Sequence, residues 1–259
     1  MVTLVTGASA GLGAEFARQC ARRGEEVVLV ARRRERLEAL AAELGGGAHV
    51  IAADLSEPGA PTRVVAELVA QGLSVDRLIN NAGFGLAGKF AYLPLPRQRE
   101  MIDLNVRALT DLSYLVLPEM LERRRGGILN VASTGAFQPG PGIAVYFATK
   151  AYVLSFTEAL HQELKGSGIR VSALCPGPTA TEFGEVAGVT NSSFARFSAS
   201  APAVVAAGLK GLDRNRAIVI PGLQNKATAQ SSRLLPRALM RRIVAAVKLS
   251  SRSAPEDWR

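Results

Sequence analysis

The sequence predicts a doubly wound α/β fold: one parallel sheet of about seven strands with helices on both faces. Three observations predict it. Short apolar runs alternate with longer amphipathic stretches along most of the 259 residues, the pattern of repeated βαβ units. The short runs lack polar alternation, as strands buried on both faces do. A glycine-rich turn, Thr6–Gly13, joins the first run to the first helical stretch.

In order, Val2–Thr6, Glu26–Val30, Val50–Ala53, Arg77–Ile79, Gly127–Val131, Arg170–Leu174 and Ala217–Ile220 read as strands. Gly13–Arg23, Arg33–Leu44, Pro61–Gln71, Gln98–Arg124 and Ala144–Lys165 read as helices. Pro176 to about Ser200 is irregular and rich in Gly, Thr, Ser and Phe. A loop of that length inside a compact domain is usually a functional lid. No repeat, low-complexity segment or linker divides the chain.

Composition excludes several classes of function. With 48% apolar and 20% charged residues, the chain can bury a full core. The net charge of +9 is uneven. Residues 1–208 carry 20 Lys/Arg against 19 Asp/Glu, a net of +1; residues 209–259 carry 11 against 3, a net of +8. A neutral body with a basic tail does not suit wrapping of nucleic acid, and no nucleic-acid partner is expected. Cys20 and Cys175 are too few for a disulfide scaffold, and with only His49 and His161 beside them no metal site is expected. No apolar run approaches the roughly 18 residues that span a bilayer. No basic-then-apolar leader opens the sequence. The expectation is a soluble protein of the reducing cytoplasm.

The glycine turn Thr6-Gly7-Ala8-Ser9-Ala10-Gly11-Leu12-Gly13 sits between a strand and a helix. There, glycines let backbone approach a pyrophosphate, and the helix start offers free N–H groups and a positive dipole end. Its spacing is GxxxGxG, not the GxGxxG of the usual dinucleotide fingerprint. The end of the second strand indicates which dinucleotide. An acid there bonds a ribose 2′-hydroxyl, whereas arginine holds a 2′-phosphate. Here Ala31 leads into Arg32, Arg33 and Arg34 with no acid. The reading is NADP(H) in preference to NAD(H), with Arg32, Arg33 and the Ser9 hydroxyl at the phosphate. Arg34 suits a solvated helix face, with Glu38 as its i,i+4 partner. Asp54, before Leu55, suits either the adenine amino group or a turn or N-cap.

Further motifs follow at Asn80-Asn81-Ala82-Gly83, Asn105, Ser133, Tyr146-x-x-x-Lys150 and Pro176-Gly177. Their order and spacing, with Ser133 standing 13 residues before Tyr146, resemble the short-chain dehydrogenase/reductase family over roughly residues 1–225. The tail, with Asn225-Lys226 and Leu234-Leu235-Pro236-Arg237, is similar to a bacterial DltE-like subgroup. The resemblance implies a single Rossmann-type sheet, NAD(P) chemistry and a catalytic tetrad of Asn105, Ser133, Tyr146 and Lys150. It also implies dinucleotide contacts from Gly7, Ser9, Gly11, Leu12, Gly13, Asp54, Leu55, Asn81, Ala82, Gly83, Pro176 and Gly177. Thr179 and Thr181 would meet the nicotinamide carboxamide.

The chemistry suits these groups. Hydride transfer to a ketone leaves charge on oxygen, so the protein must supply a proton and charge stabilisation. A tyrosine near pKa 10 is an adequate acid. A lysine four residues on lies on the same helix face, and its charge favours phenolate. Lys150 would also bond the nicotinamide ribose. Ser133 would hold the substrate oxygen. Asn105 would hold a relay water, or would simply bond a backbone carbonyl. Cys175 reads as a small core residue, not a nucleophile.

The expected pocket walls are Phe84 to Phe90, Thr134 to Pro139 and Phe183 to Phe197, carrying Phe84, Phe137, Phe183, Phe194 and Phe197. They suit an apolar or aromatic carbonyl substrate, with Phe183 and Phe194 as wall or as lid anchors. The organisation expected is a catalytic domain over residues 1–225, a lid at about 178–205, and a basic amphipathic extension over 226–259. Within that extension Ala227–Leu249 alternates Leu234, Leu239, Ile243 and Val247 with Arg233, Arg237, Arg241, Arg242 and Lys248, and Pro236 would open a helix. The extension would pack on its own domain, join a homodimer or homotetramer, or, less favoured, touch an anionic membrane or an acidic carrier. The function expected is an NADPH-dependent carbonyl reductase, reversible as a secondary-alcohol dehydrogenase, acting on a small apolar or aromatic ketone. The rival readings are an NAD-dependent alcohol dehydrogenase and a non-catalytic dinucleotide sensor or scaffold.

Overall fold

A computed structural model describes residues 1–188 and 199–246. Among these residues the strands are β1 (Val2–Thr6), β2 (Glu26–Ala31), β3 (Ala48–Ala52), β4 (Val75–Asn80), β5 (Gly126–Val131), β6 (Ile169–Leu174) and β7 (Ile218–Val219). They form one seven-stranded sheet in the order β3-β2-β1-β4-β5-β6-β7, with every pair parallel. The strand order reverses between β1 and β4, and a crevice at their carboxyl ends is the usual ligand position in such sheets.

The helices are α1 (Gly11–Arg22), α2 (Arg34–Leu44), α3 (Ala60–Ala70), α4 (Leu95–Ile102), α5 (Leu109–Glu122), α6 (Ala144–Glu163), α7 (Phe183–Ala187), α8 (Ala201–Asp213), α9 (Leu223–Leu234) and α10 (Arg237–Ala246). Successive strand residues serve opposite layers because side chains alternate across a strand. Leu4, Val28, Leu78 and Ile128 meet Val64 and Leu68 of α3, Leu112 and Val116 of α5 and Leu160 of α6. Val5, Leu29, Ile79 and Leu129 meet Phe16 of α1, Leu37 of α2 and Val205 and Leu209 of α8. Burial of each such side chain stabilises the fold by about 1.5–3 kcal/mol.

The structure corrects three expected boundaries. The stretch Gln98–Arg124 is two helices joined by a π-helical segment, Asp103–Ala108, whose extra residue turns Asn105 inward. The last residues of the span expected as a lid are helical, since α8 begins at Ala201 and buries Val204 and Val205. Gly208 and Gly211 disguise this helix as a loop in the sequence. They allow close packing instead: an added Cβ would lie 2.9 Å from Leu174 and 2.2 Å from Val219. The expected extension also starts inside α9, which packs on the short helix Thr134–Phe137 and buries Ala229. Beyond it, α10 packs inward through Met240 and Val244 while Leu239 and Ile243 stay exposed. Phe194, Phe197, Val247 and Lys248 lie outside the described residues.

Phe16 is fully buried between α1 and the sheet. Phe16→Ala is expected to lower stability by about 3–5 kcal/mol, read as a lower urea midpoint at unchanged slope.

Candidate functional site

The first part of the site is a backbone cradle. Gly7 and Gly11 hold φ of +66° and +55°, open to glycine at little cost. A Cβ at Gly13 would lie 2.1 Å from the Gly7 carbonyl oxygen. Residue Ala10 gives α1 no side-chain cap, so the first amides of that helix are available to a ligand. Leu12 lies in the first turn of the same helix. Beside the cradle, Asn81 Nδ2 donates to the carbonyls of Thr6 (3.0 Å) and Gly7 (3.4 Å). The Thr6 hydroxyl accepts from the amides of Asn81 (3.0 Å) and Ala82 (2.9 Å). This geometry fits the pyrophosphate of a dinucleotide.

At the end of β2 the arginines divide their work. Arg33 reaches Ser9 Oγ with Nε at 3.3 Å and Nη2 at 3.1 Å. Arg32 turns away to Glu100 (3.2 Å) and Asp54 (3.6 Å). Of the three groups expected together, Ser9 and Arg33 are in contact, while Arg32 is paired with two carboxylates beside them. Arg34 meets Glu38 at 3.6 Å on the solvent side. Asp54 Oδ1 closes a turn, accepting from the amide of Ser56 (2.9 Å) and its hydroxyl (2.6 Å). The turn reading of Asp54 is thus realised, and the Ser56 hydrogen bonds, against a burial cost, hold its carboxyl below the ordinary carboxylate range. Leu55 is buried in the core.

The second part of the site lies at the start of α6. Tyr146 is 8% exposed and Lys150 5%, one helical turn apart. Lys150 Nζ donates to the Val131 carbonyl at 2.7 Å and stands 5.8 Å from the Tyr146 ring centroid. Burial pushes the phenol up to about 12, and its neighbour Ser133 pulls it the other way. Burial also pushes the Lys150 ammonium down to about 8. In the chain without cofactor, desolvation is the largest influence on both groups and favours the neutral form of each. Ser133 caps the short helix Thr134–Phe137, its Oγ accepting from the Gly135 amide at 3.0 Å. Cys175 is buried and its thiol is pushed up to about 12 by that burial, which suits a core residue.

Asn105 is fully buried. Its Oδ1 accepts from the Phe84 amide (3.1 Å), and its Nδ2 donates to the Phe84 carbonyl (3.0 Å) and Thr149 Oγ1 (3.0 Å). Thr149 in turn donates to the Tyr146 carbonyl at 2.7 Å. The side chain therefore ties the Asn81–Phe84 segment to α6, and the expected bond to a backbone carbonyl is formed. Gly83 faces this knot. A Cβ there would lie 2.8 Å from Asn105 Oδ1 and 3.4 Å from Lys150 Nζ.

After β6, the Pro176 carbonyl accepts from the Thr134 amide at 2.9 Å. Gly177 lies under Asn225 of α9, where a Cβ would come 2.3 Å from Oδ1. Thr179 bridges to Ala199. Thr181 covers the cradle, its Cβ 3.2 Å from where a Cβ on Gly11 would stand. Phe183 packs on Tyr146 with ring centroids 5.2 Å apart. Phe84 is buried beneath Arg97, whose guanidinium lies 4.7 Å from the ring centre. It is core, not open wall. Phe137 is partly buried among Leu154 and Cys175. Sequence reasoning missed Thr149 and Glu100, which carry no motif of their own, the linking hydroxyl of Thr6, and the packing of Asn225 against Gly177. Among the described residues no group of three or more His, Cys, Asp or Glu could hold a metal ion, and no helix is long and apolar enough to cross a membrane.

Comparison with known proteins places this geometry. The short chain dehydrogenase family matches residues 1–190. A Salmonella typhi NADP-dependent 3-hydroxy acid dehydrogenase is 40% identical over 188 residues, covering 72% of this chain and 76% of that protein. A short-chain dehydrogenase from Sphingobium yanoikuyae in complex with NADPH superposes with a TM-score of 0.81 at 34% identity, covering 99% of both chains. A bulky-bulky ketone specific alcohol dehydrogenase from Comamonas testosteroni gives 0.76 at 30% identity, over 99% of this chain and 98% of that one. The chain belongs to the short-chain dehydrogenase family. It is an NAD(P)-dependent oxidoreductase acting on CH–OH or C=O groups.

The two buried groups set a pH dependence. Through pH 6–9 the phenol keeps its proton, while the ammonium loses its charge on passing about 8. Ketone-reduction kcat/KM is expected to stay level below pH 7.5 and fall above about 8. Lys150→Met is expected to abolish that fall together with most of the activity.

Proposed function

We propose that the chain is an NADP(H)-preferring carbonyl reductase, reversible as a secondary-alcohol dehydrogenase, acting on an apolar or aromatic ketone. The observation that carries this is a buried Tyr146 one helical turn from a buried Lys150, whose Nζ stands 5.8 Å from the phenol ring centroid, with Ser9 and Arg33 paired at the far end of the same crevice. A bound nicotinamide supplies the hydride. Tyr146 donates its phenolic proton to the carbonyl oxygen, for which a neutral, buried phenol suits the reducing direction. Ser133 orients that oxygen by hydrogen bonding. Lys150 supplies positive charge beneath the phenol and bonds the ribose. Asn105 positions α6 through Thr149. Thr179 and Thr181 hold the carboxamide end, while Ser9 and Arg33 hold the 2′-phosphate.

The substrate reading rests on the packing around Tyr146. Leu86, Ile143, Val145, Phe147 and Phe183 surround it, and Arg97 is already held by Glu100. A carboxylate-bearing substrate finds little to pair with in that set. The identity to a 3-hydroxy acid dehydrogenase favours a second reading, oxidation of a 3-hydroxy acid. We place the activity in the cytoplasm, in a homodimer or homotetramer. The shared outer face of α5 and α6 supports self-association: it exposes Tyr114 and stacks Tyr152 on Phe156 with centroids 5.9 Å apart.

A substrate panel followed by NADPH absorbance tests the proposal. Aryl ketones, β-keto esters and steroid-like ketones are run with NADPH and NADH, and serine and 3-hydroxybutyrate with NADP+. The expected outcome is reduction of an aryl ketone with at least tenfold higher kcat/KM for NADPH than for NADH. Faster turnover of a 3-hydroxy acid would overturn the substrate, a preference for NADH would overturn the cofactor, and binding without turnover would favour a sensor.

A further inference from the structure

Glu182 lies between Thr181, which covers the glycine turn, and α7. Its carboxylate does not point into solvent alone. Oε1 accepts from Arg36 Nη1 at 2.8 Å, and Oε2 from Arg33 Nη2 at 3.4 Å. The same Arg33 nitrogen donates to Ser9 Oγ at 3.1 Å. The Arg36 hydrogen bond holds the Glu182 carboxyl below the ordinary carboxylate range, so it is charged at neutral pH. A single acidic side chain thus joins the segment after β6 to the start of α2, 146 residues away at Arg36.

We propose that Glu182 is a specificity-determining residue for the dinucleotide, bracing the Thr179–Thr181 segment over the cradle while opposing a 2′-phosphate at Ser9 and Arg33. The inference rests on the proposed NADP(H) reading. The two effects act on different ligands. The brace helps any dinucleotide that lies beneath Thr181, because it holds that segment against Gly11. The opposition touches only a ligand carrying the 2′-phosphate. That dianion competes for Arg33 and meets a like charge. The contact it displaces is the longer one, and the Arg36 bond at 2.8 Å remains to carry the brace. Arg32, engaged by Asp54 and Glu100, does not relieve this competition. Glu182 therefore moderates a preference that Arg33 and Ser9 create.

Dissociation constants for NADPH and NADH, read from nucleotide fluorescence without substrate, test this on the full chain. Glu182→Gln is expected to weaken NADH about threefold, the size carried by a half-exposed ion pair. NADPH is expected to change less than twofold, because lost bracing and relieved repulsion offset each other. The NADPH preference therefore widens. Adding Arg36→Gln to Glu182→Gln is expected to leave NADH binding where the single variant put it, since the brace is already gone. Unchanged binding of both nucleotides would overturn the proposal. Equal weakening of both would also overturn it, showing a merely structural side chain. A parent protein that binds NADH as tightly as NADPH would refute the phosphate pocket and the opposing role with it. The threefold NADH effect would still report the brace separately.

Discussion

The carboxyl edge of the sheet depends on the hydroxyl of Thr6. It stands where β1 parts from β4, the one place where the strand order reverses and leaves an open crevice. Two amides donate to this oxygen, those of Asn81 and Ala82, and the hydroxyl donates to the Ile79 carbonyl at 3.3 Å. Backbone leaving a buried strand must find partners for its polar groups, and this one side chain supplies them. The segment after β4 is thereby fixed against the glycine turn. Gly83 then faces Asn105 and Lys150, and Phe84 supplies the amide and carbonyl that hold Asn105. Cradle and proton-bearing residues become one rigid unit built on the sheet.

Burial sets the electrostatics of that unit. Tyr146 and Lys150 are both taken out of water, and for both the neutral form gains. The phenol is kept protonated, and the Lys150 ammonium, still charged at neutral pH, loses its proton at about 8. The surrounding polar contacts are local: the Val131 carbonyl accepts from Lys150, and Thr149 links Asn105 to the Tyr146 carbonyl. At the far end of the crevice the balance is different. Four arginines and three acids there are mostly half-exposed, so each pair contributes little alone, and the outcome turns on how they share partners.

The strands and their order of appearance were legible because β-branched runs buried on both faces leave an unmistakable pattern. The cradle was legible because glycine takes the φ at Gly7 and Gly11 at little cost and alone permits the approach at Gly13. Tyr146, Lys150 and Ser133 were legible through spacing. What was hidden depends on partners distant in sequence. The π-helical segment exists because Asn105 finds Phe84 and Thr149. The helix Ala201–Asp213 was masked by Gly208 and Gly211, whose packing against Leu174 and Val219 no local rule shows. Arg32 and Arg33 are identical as residues, and only Asp54 and Glu100 decide which of them faces Ser9. The basic segment near the end of the chain is held by apolar packing, since α9 and α10 bury Ala229, Met240 and Val244 while Lys226, Arg237, Arg241 and Arg242 stay exposed.

The central claim is that Tyr146 delivers the proton in a dinucleotide-dependent carbonyl reduction. Single-turnover oxidation of bound NADPH by an aryl ketone, compared between the parent and Tyr146→Phe, tests it most directly. The account predicts unchanged NADPH affinity and a rate lowered by about 10²–10⁴-fold, the usual share of general acid catalysis. A Tyr146→Phe protein that reduces the ketone within a few-fold of the parent rate would contradict it.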